Sequence, residues 1–178
     1  MEIYEPSDDS FFFKEFLENF FSKKSTKEKD SLTFLDMGTG SGILALPATK
    51  FLKKENITAA DINEKAIKKL NKQKINKIHT NLFKNLKNSF DIIVFNAPYL
   101  PQDKREPKDS QLATTGGLKG DEISLKFIQQ AKDHLNKNGK IFLLISSLTP
   151  MNKIKKFSTK IVARKKIFME ELLILEFN

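Results

Sequence analysis

The stretch FLDMGTGSGILAL, residues 34–46, places Asp36, Gly38, Gly40 and Gly42 between a hydrophobic run and an apolar segment of helical spacing. Glycines between a strand and a helix supply positive φ and let backbone N–H groups come close to a ligand. Their spacing narrows the kind of ligand. A dinucleotide fingerprint needs its third glycine where Ile43 stands, and no Lys-Ser/Thr pair follows to make a P-loop. The pattern that remains, D-x-G-x-G-x-G, predicts a strand, a ligand-facing loop and a helix.

Working outward, short β-like runs alternate with helical periods. Residues 8–21 predict an amphipathic helix with Phe12, Phe13, Phe16, Leu17, Phe20 and Phe21 on one face and acidic residues in its first turn. Strands are expected over residues 32–36, 57–61, 75–81, 90–95 and 139–146. Helices are expected over 42–53, 64–74, 121–135 and, briefly, 150–157. Residues 159–166 and 170–177 read as a terminal hairpin, and residues 22–31 and 101–115 as the mobile segments. The alternation implies an α/β fold with a mostly parallel seven-stranded sheet, a C-terminal antiparallel hairpin and helices on both faces. With no repeat and no linker, residues 1–178 read as a single domain. Ligands of such sheets bind outside the carboxyl ends of the strands, where strand order reverses.

Composition excludes several classes. The 178 residues are 39% hydrophobic and 30% charged, with no cysteine and only two histidines, His79 and His134. That length buries a core without cross-links, and the residue set offers neither a disulfide framework nor the ligands of a transition-metal site. No apolar run approaches the roughly 20 residues of a membrane helix, and the acidic start is no signal peptide, so a cytoplasmic protein is expected. The net charge of +9 invites a nucleic-acid partner. Yet every basic residue except Arg105 and Arg164 is lysine, spread from Lys14 to Lys166, whereas surfaces that read bases favour arginine's planar fork. Dispersed lysine reads as a solvated face, and direct nucleic-acid binding stays open.

The glycine loop resembles the S-adenosylmethionine loop of class I methyltransferases. That resemblance implies that Asp36, Gly38, Gly40 and Gly42 lie against the cofactor. It also implies that Asp61, ending the second strand in AADIN, accepts from the ribose hydroxyls, and that Asn81, ending the third in IHTNLF, accepts from the adenine amino group. The competing readings are a helix N-cap for Asp61, the weaker of its two readings, and a turn residue for Asn81.

The fourth strand ends in a second motif, VFNAPYLP at residues 94–101, in which Asn96-Ala97-Pro98-Tyr99 resembles the Asn-Pro-Pro-Tyr turn of methyltransferases acting on planar nitrogens. An amide or aromatic amino nitrogen has a delocalised lone pair and attacks poorly. An oxygen of Asn96 and a main-chain carbonyl fixed by the proline-stiffened turn can hold its N–H bonds and aim the lone pair, while Tyr99 packs over the planar group. Catalysis would then rest on positioning by Asn96, Pro98 and Tyr99, with Ala97 also contacting the substrate. Ala97 departs from the pattern, which has a proline there.

Three stretches together, YEPSDDSFFF from Tyr4, the glycine loop and FNAPYLP, are similar to the HemK-type protein-glutamine N5-methyltransferases. GGLKGDE from Gly116 resembles a glycine-rich segment of the same family. The resemblance implies a class 1 translation release factor as substrate, methylated on the glutamine of its Gly-Gly-Gln motif. It further implies an N-terminal segment, residues 1–22, in which Tyr4, Glu5, Pro6, Asp8 and Asp9 close over the cofactor. The Tyr-Glu-Pro motif begins at residue 4, so the chain is similar to the short single-domain archaeal and eukaryotic branch. Members of that branch often work with a small zinc-binding activator. Its docking place would be the edge at the third strand, near Ile75, Ile78 and Leu82. The competing substrates are an exocyclic amino group of adenine or guanine in DNA or RNA, and a protein lysine. A non-catalytic binding module of the same fold is the remaining class.

Overall fold

The computed structural model describes residues 3–103, 105, 107, 111, 114–157 and 159–178. Seven strands form one sheet in the order β3-β2-β1-β4-β5-β7-β6. β1 (Phe34–Met37), β2 (Ile57–Asp61), β3 (Asn76–His79), β4 (Phe90–Asn96) and β5 (Leu135–Ser146) are parallel. β7 (Glu171–Phe177) runs antiparallel between β5 and β6 (Thr159–Lys166). Every residue of β1 and β2 is buried, as expected for parallel strands covered on both faces.

Two apolar layers hold the sheet. On one face, α1 (Asp8–Ser22) buries Phe13, Leu17 and Phe21, joined by Ala45 and Ala48 of α3 (Ala45–Ala48). Phe16 and Phe20 of α1 meet Phe142 of β5 edge-on, with ring centroids 5.0 and 5.1 Å apart. The other face is covered by Phe127, Ile128 and Ala131 of α5 (Glu122–Ala131) and by Ile154 of α6 (Met151–Ile154). Such burial is worth roughly 1.5–3 kcal/mol for each large apolar side chain.

Several boundaries differ from expectation. The helix after the glycine loop is α-helical only over Ala45–Ala48, because Pro47 has no N–H to give and the following amides bond three residues back, Lys50 to Pro47 at 3.1 Å and Phe51 to Ala48 at 3.0 Å. α4 (Glu64–Lys69) also stops early, where residues 71–74 offer no apolar side chain to bury. Leu135, expected to end a helix, begins β5; Asn138 at φ 65° and a register shift against β4 absorb the turn-like residues 136–139. Residues 22–31, expected to be mobile, contain the short helix α2 (Thr26–Ser31), started by a reciprocal capping box between Ser25 and Glu28. Seven residues of the 101–115 segment lie outside the described residues. No helix of the described residues is long and apolar enough to cross a membrane.

Candidate active site

The chain order reverses between β1 and β4, and there the strand ends open into a cavity of about 380 Å³. Its floor is the glycine loop. Gly38, Gly40 and Gly42 take φ of 63°, 52° and 84°, which L side chains rarely adopt. A Cβ on Gly38 would come within 2.7 Å of the Phe95 ring. At Gly40 the nearest neighbour would be the Gly38 carbonyl oxygen at 3.9 Å, so that glycine faces open space. Gly42 is absent from the cavity wall: it packs behind the loop, where a Cβ would stand 2.9 Å from Leu70.

Two buried carboxylates shape the loop from below. Asp36 accepts from the Thr39 hydroxyl at 2.7 Å and the Ala45 amide at 3.1 Å, and burial pushes its carboxyl up to about 7, with the nearby Asp61 adding to the shift. Asp61 accepts from the Gly40 amide at 2.8 Å and the Asn63 amide at 2.7 Å. Burial raises its pKa as well, against the lowering effect of those same amides. Each carboxylate oxygen has a second lone pair, so Asp61, on the cavity wall, keeps acceptor capacity for a ligand. The N-cap of α4 is Asn63, whose side chain accepts from Lys65, and not Asp61. Asn81 is exposed at the cavity rim beside Leu82.

At the other end of the cavity Asn96 ends β4. Its Nδ2 donates to Asp9 Oδ2 at 3.1 Å and to Ser10 Oγ at 3.4 Å. A carboxylate oxygen only accepts, so the amide nitrogen must face Asp9, and Oδ1 is turned the other way. Among the described residues that oxygen is buried without a hydrogen-bond partner. Asp9 is itself fixed by the Ser10 amide at 2.6 Å and by the Tyr4 hydroxyl at 3.4 Å. Burial, then the Asp9 charge, pushes the Tyr4 phenol up to about 12. Tyr99 is raised by burial first, with Asp9, Glu170 and Tyr4 adding to it.

The turn after Asn96 is gripped by a second glycine segment. Leu100 N donates to Thr114 O at 2.9 Å, Gly116 N to Leu100 O at 2.9 Å and Gln102 N to Gly117 O at 3.0 Å. A Cβ on Gly116 would lie 2.6 Å from the Pro98 carbonyl oxygen, and one on Gly120 2.5 Å from that of Tyr99. Only bare backbone fits this close, so the turn is held from outside as well as stiffened by Pro98.

Of the sequence-predicted residues, Tyr4, Asp36, Gly38, Gly40, Asp61, Asn81, Asn96, Ala97, Pro98 and Tyr99 all come to the cavity wall. Asp9 does too, while Glu5, Pro6 and Asp8 do not; Asp8 instead meets Lys165 at 2.8 Å. Ser10, Thr80, Ile123 and Lys126 line the cavity without having been singled out. Ser10 was legible as the residue after the acidic pair; the others carry no motif. At the far edge Ile75 is buried in the core, and only Ile78 and Leu82 are half-buried near β3.

Residues 15–169 match the family described as Methyltransferase small domain. A Methanocaldococcus jannaschii protein, named by inference as a protein N5-glutamine methyltransferase, is 37% identical over 98% of this chain and 90% of its own length. The release factor glutamine methyltransferase of Lactococcus lactis is 34% identical over 66% of this chain, which spans only 48% of that protein. Among solved structures, a ribosomal protein L11 methylase from Lactobacillus delbrueckii subsp. bulgaricus superposes with a TM-score of 0.68 at 23% identity, covering 97% of this chain and 80% of that one. A 16S rRNA N2 G1207 methyltransferase from T. thermophilus, covering 98% of this chain and 44% of that one, reaches 0.64 at 18% identity; both speak for the fold alone. With the family match spanning most of the sequence and a relative aligned along nearly all of it, the chain belongs to the small-domain methyltransferases and is an S-adenosylmethionine-dependent methyltransferase.

Proposed function

We propose that the chain methylates the side-chain nitrogen of a glutamine, that of the Gly-Gly-Gln motif in a class 1 translation release factor. The observation that carries this reading is the Asn96 amide oxygen, buried and unpartnered at the cavity wall with its nitrogen tied to Asp9. A buried acceptor without a donor costs about 1–3 kcal/mol, and an incoming amide N–H relieves that cost. The names of the M. jannaschii and L. lactis relatives support the same acceptor.

The residues present fit the methyl donor. When bound, it supplies an electrophilic methyl group on a sulfonium. The open Gly38–Gly40 backbone, the free lone pairs of Asp61 and the rim Asn81 would hold it, with Tyr4 beside them; Asp36 would act from beneath by fixing the loop. Asn96 would accept one N–H of the substrate amide, and a carbonyl of the 97–98 turn the other. Tyr99 would lie against the amide plane, aiming a nitrogen that attacks poorly by itself. The grip of the 114–120 segment on this turn supports its working without a proline at Ala97.

On this reading residues 1–178 work as one catalytic unit, with 1–22 covering the cofactor site, and the protein acts with the translation apparatus in the cytoplasm. A zinc-binding activator would pair with the outer edge of β3, beside the half-buried Ile78 and Leu82. The test is transfer of labelled methyl from S-adenosylmethionine to a recombinant release factor, with and without its Gly-Gly-Gln glutamine, beside RNA and DNA controls. Label should enter the intact factor and vanish with the glutamine. Label in nucleic acid alone would sink the proposal.

A further inference from the structure

Seven large apolar side chains are exposed among the described residues, and all of them stand at the carboxyl edge of the parallel strands or in the first turn of α1 beside it. Three form a group at the tip of the β6–β7 hairpin and the loop it touches: Phe168 at 96% exposure, Met169 at 78% and Leu148 at 56%. The hairpin and loop are locked together, since Ser147 N donates to Glu171 O at 2.7 Å, Glu171 N to Ser147 Oγ at 2.9 Å, and Ser146 Oγ bonds the Glu170 carboxylate. A rigid backbone thus displays the apolar tip.

The tip borders the acceptor turn. Asn96 pairs with Leu144 of β5, Leu144 with Ile174 of β7, and Ser146 with Leu172. Two strand spacings of about 4.8 Å put Ile174 about 10 Å sideways from Asn96, and the hairpin base at Glu171 stands three residues further along β7, on the side where the turn after Asn96 emerges. Glu170, next to Met169, is close enough to Tyr4 and Tyr99 for its charge to add to burial in raising both phenols. On the opposite flank of the turn Leu118 is 77% exposed, on the glycine segment that grips it.

We propose that the Leu148–Phe168–Met169 face docks the folded body of the acceptor protein while its glutamine loop reaches Asn96; this rests on the reading that the acceptor is a protein. Three side chains offer a few hundred Å² at most, well short of the about 800 Å² per partner of a stable complex, so the face suits a partner released at each turnover rather than a second copy of this chain. At the tip end of β6 Lys166 is exposed, while Arg164 is paired with Glu171 and Glu170 is held by Ser146, so the charge left free beside the face is basic and the complementary patch is apolar with an acidic residue at its edge.

The test is the double variant Phe168→Asp, Met169→Asp, with kinetics on the intact release factor and on a short peptide carrying its Gly-Gly-Gln motif. KM for the intact factor should rise about tenfold or more, while peptide turnover and affinity for S-adenosylhomocysteine stay within about twofold. Amides 166–170 of the wild type should exchange more slowly when the factor is added. Equal losses on factor and peptide, or none on either, overturn the inference while leaving glutamine methylation standing. A wild type that leaves the factor unlabelled overturns both. Hairpin-dependent binding to phosphatidylglycerol vesicles, with KM for the factor unchanged, assigns the face to lipid and overturns the docking role.

Discussion

At the scale of one residue, the two ends of the Asn96 amide are nearly the same size, and on the function proposed above only the neighbour decides which end meets the substrate. Asp9 makes that choice by accepting from Nδ2. Asn96→Ala is expected to abolish turnover while affinity for S-adenosylhomocysteine, measured by calorimetry, stays within a few-fold; loss of both together would make Asn96 structural. Asp9→Asn, which can donate as well as accept, frees the amide to rotate, and kcat should fall by about 10- to 100-fold, the scale on which misplacing a reacting group costs rate. Asn96 itself was legible, because it interrupts a hydrophobic run just before a proline. Its partner was not: Asp9 lies 87 positions away and reads locally as an acidic helix start.

At the scale of elements, the acceptor turn and the 114–120 segment behave as one unit built on backbone contacts. Gly120 sits at φ 87° with the Tyr99 carbonyl oxygen 2.5 Å from where a Cβ would be. Gly120→Ala should therefore push the turn out of place, lowering kcat on the release factor more than about tenfold, with cofactor affinity kept and about 1–3 kcal/mol of stability lost in chemical denaturation. A variant that loses stability without a change in kcat would separate the segment from catalysis. β2 and β6 ran where periodicity placed them, since β-branched and apolar alternation is a local signal. α3 and α4 fell short because the pattern of apolar positions ignores the missing amide of Pro47 and the polar run after Lys69. The Ser25-to-Glu28 capping box was a written signal for α2, obscured by the lysines around it.

At the scale of the whole molecule, Asp36 couples global stability to pH. Its carboxyl rises from 3.8 to about 7 on folding, so the folded chain holds a proton that the unfolded chain releases. The contribution is favourable below the ordinary value and is lost as pH climbs toward 7, by up to on the order of 4 kcal/mol. Asp36→Asn keeps an acceptor for Ala45 and Thr39, and should gain on the wild type steadily from pH 4 to 7.5 in urea unfolding. Parallel curves would mean that Asp36 is charged in the folded protein. Asp61 shifts the same way and Asp91 the other, which is why the difference between the two curves is the quantity to measure. The sheet class was legible from alternation alone, whereas the pairing of Phe16 and Phe20 with Phe142 emerged only once α1 was laid across β5. The strand order carries a consequence for biosynthesis. β7 lies between β5 and β6, so the fully buried half of β5, Ile141–Ser146, has an open edge until the ribosome has released the residues through Phe177. The nascent chain can assemble its glycine loop early but cannot close its sheet until β7 has been synthesised, which leaves β5 as the exposed apolar edge in the interval.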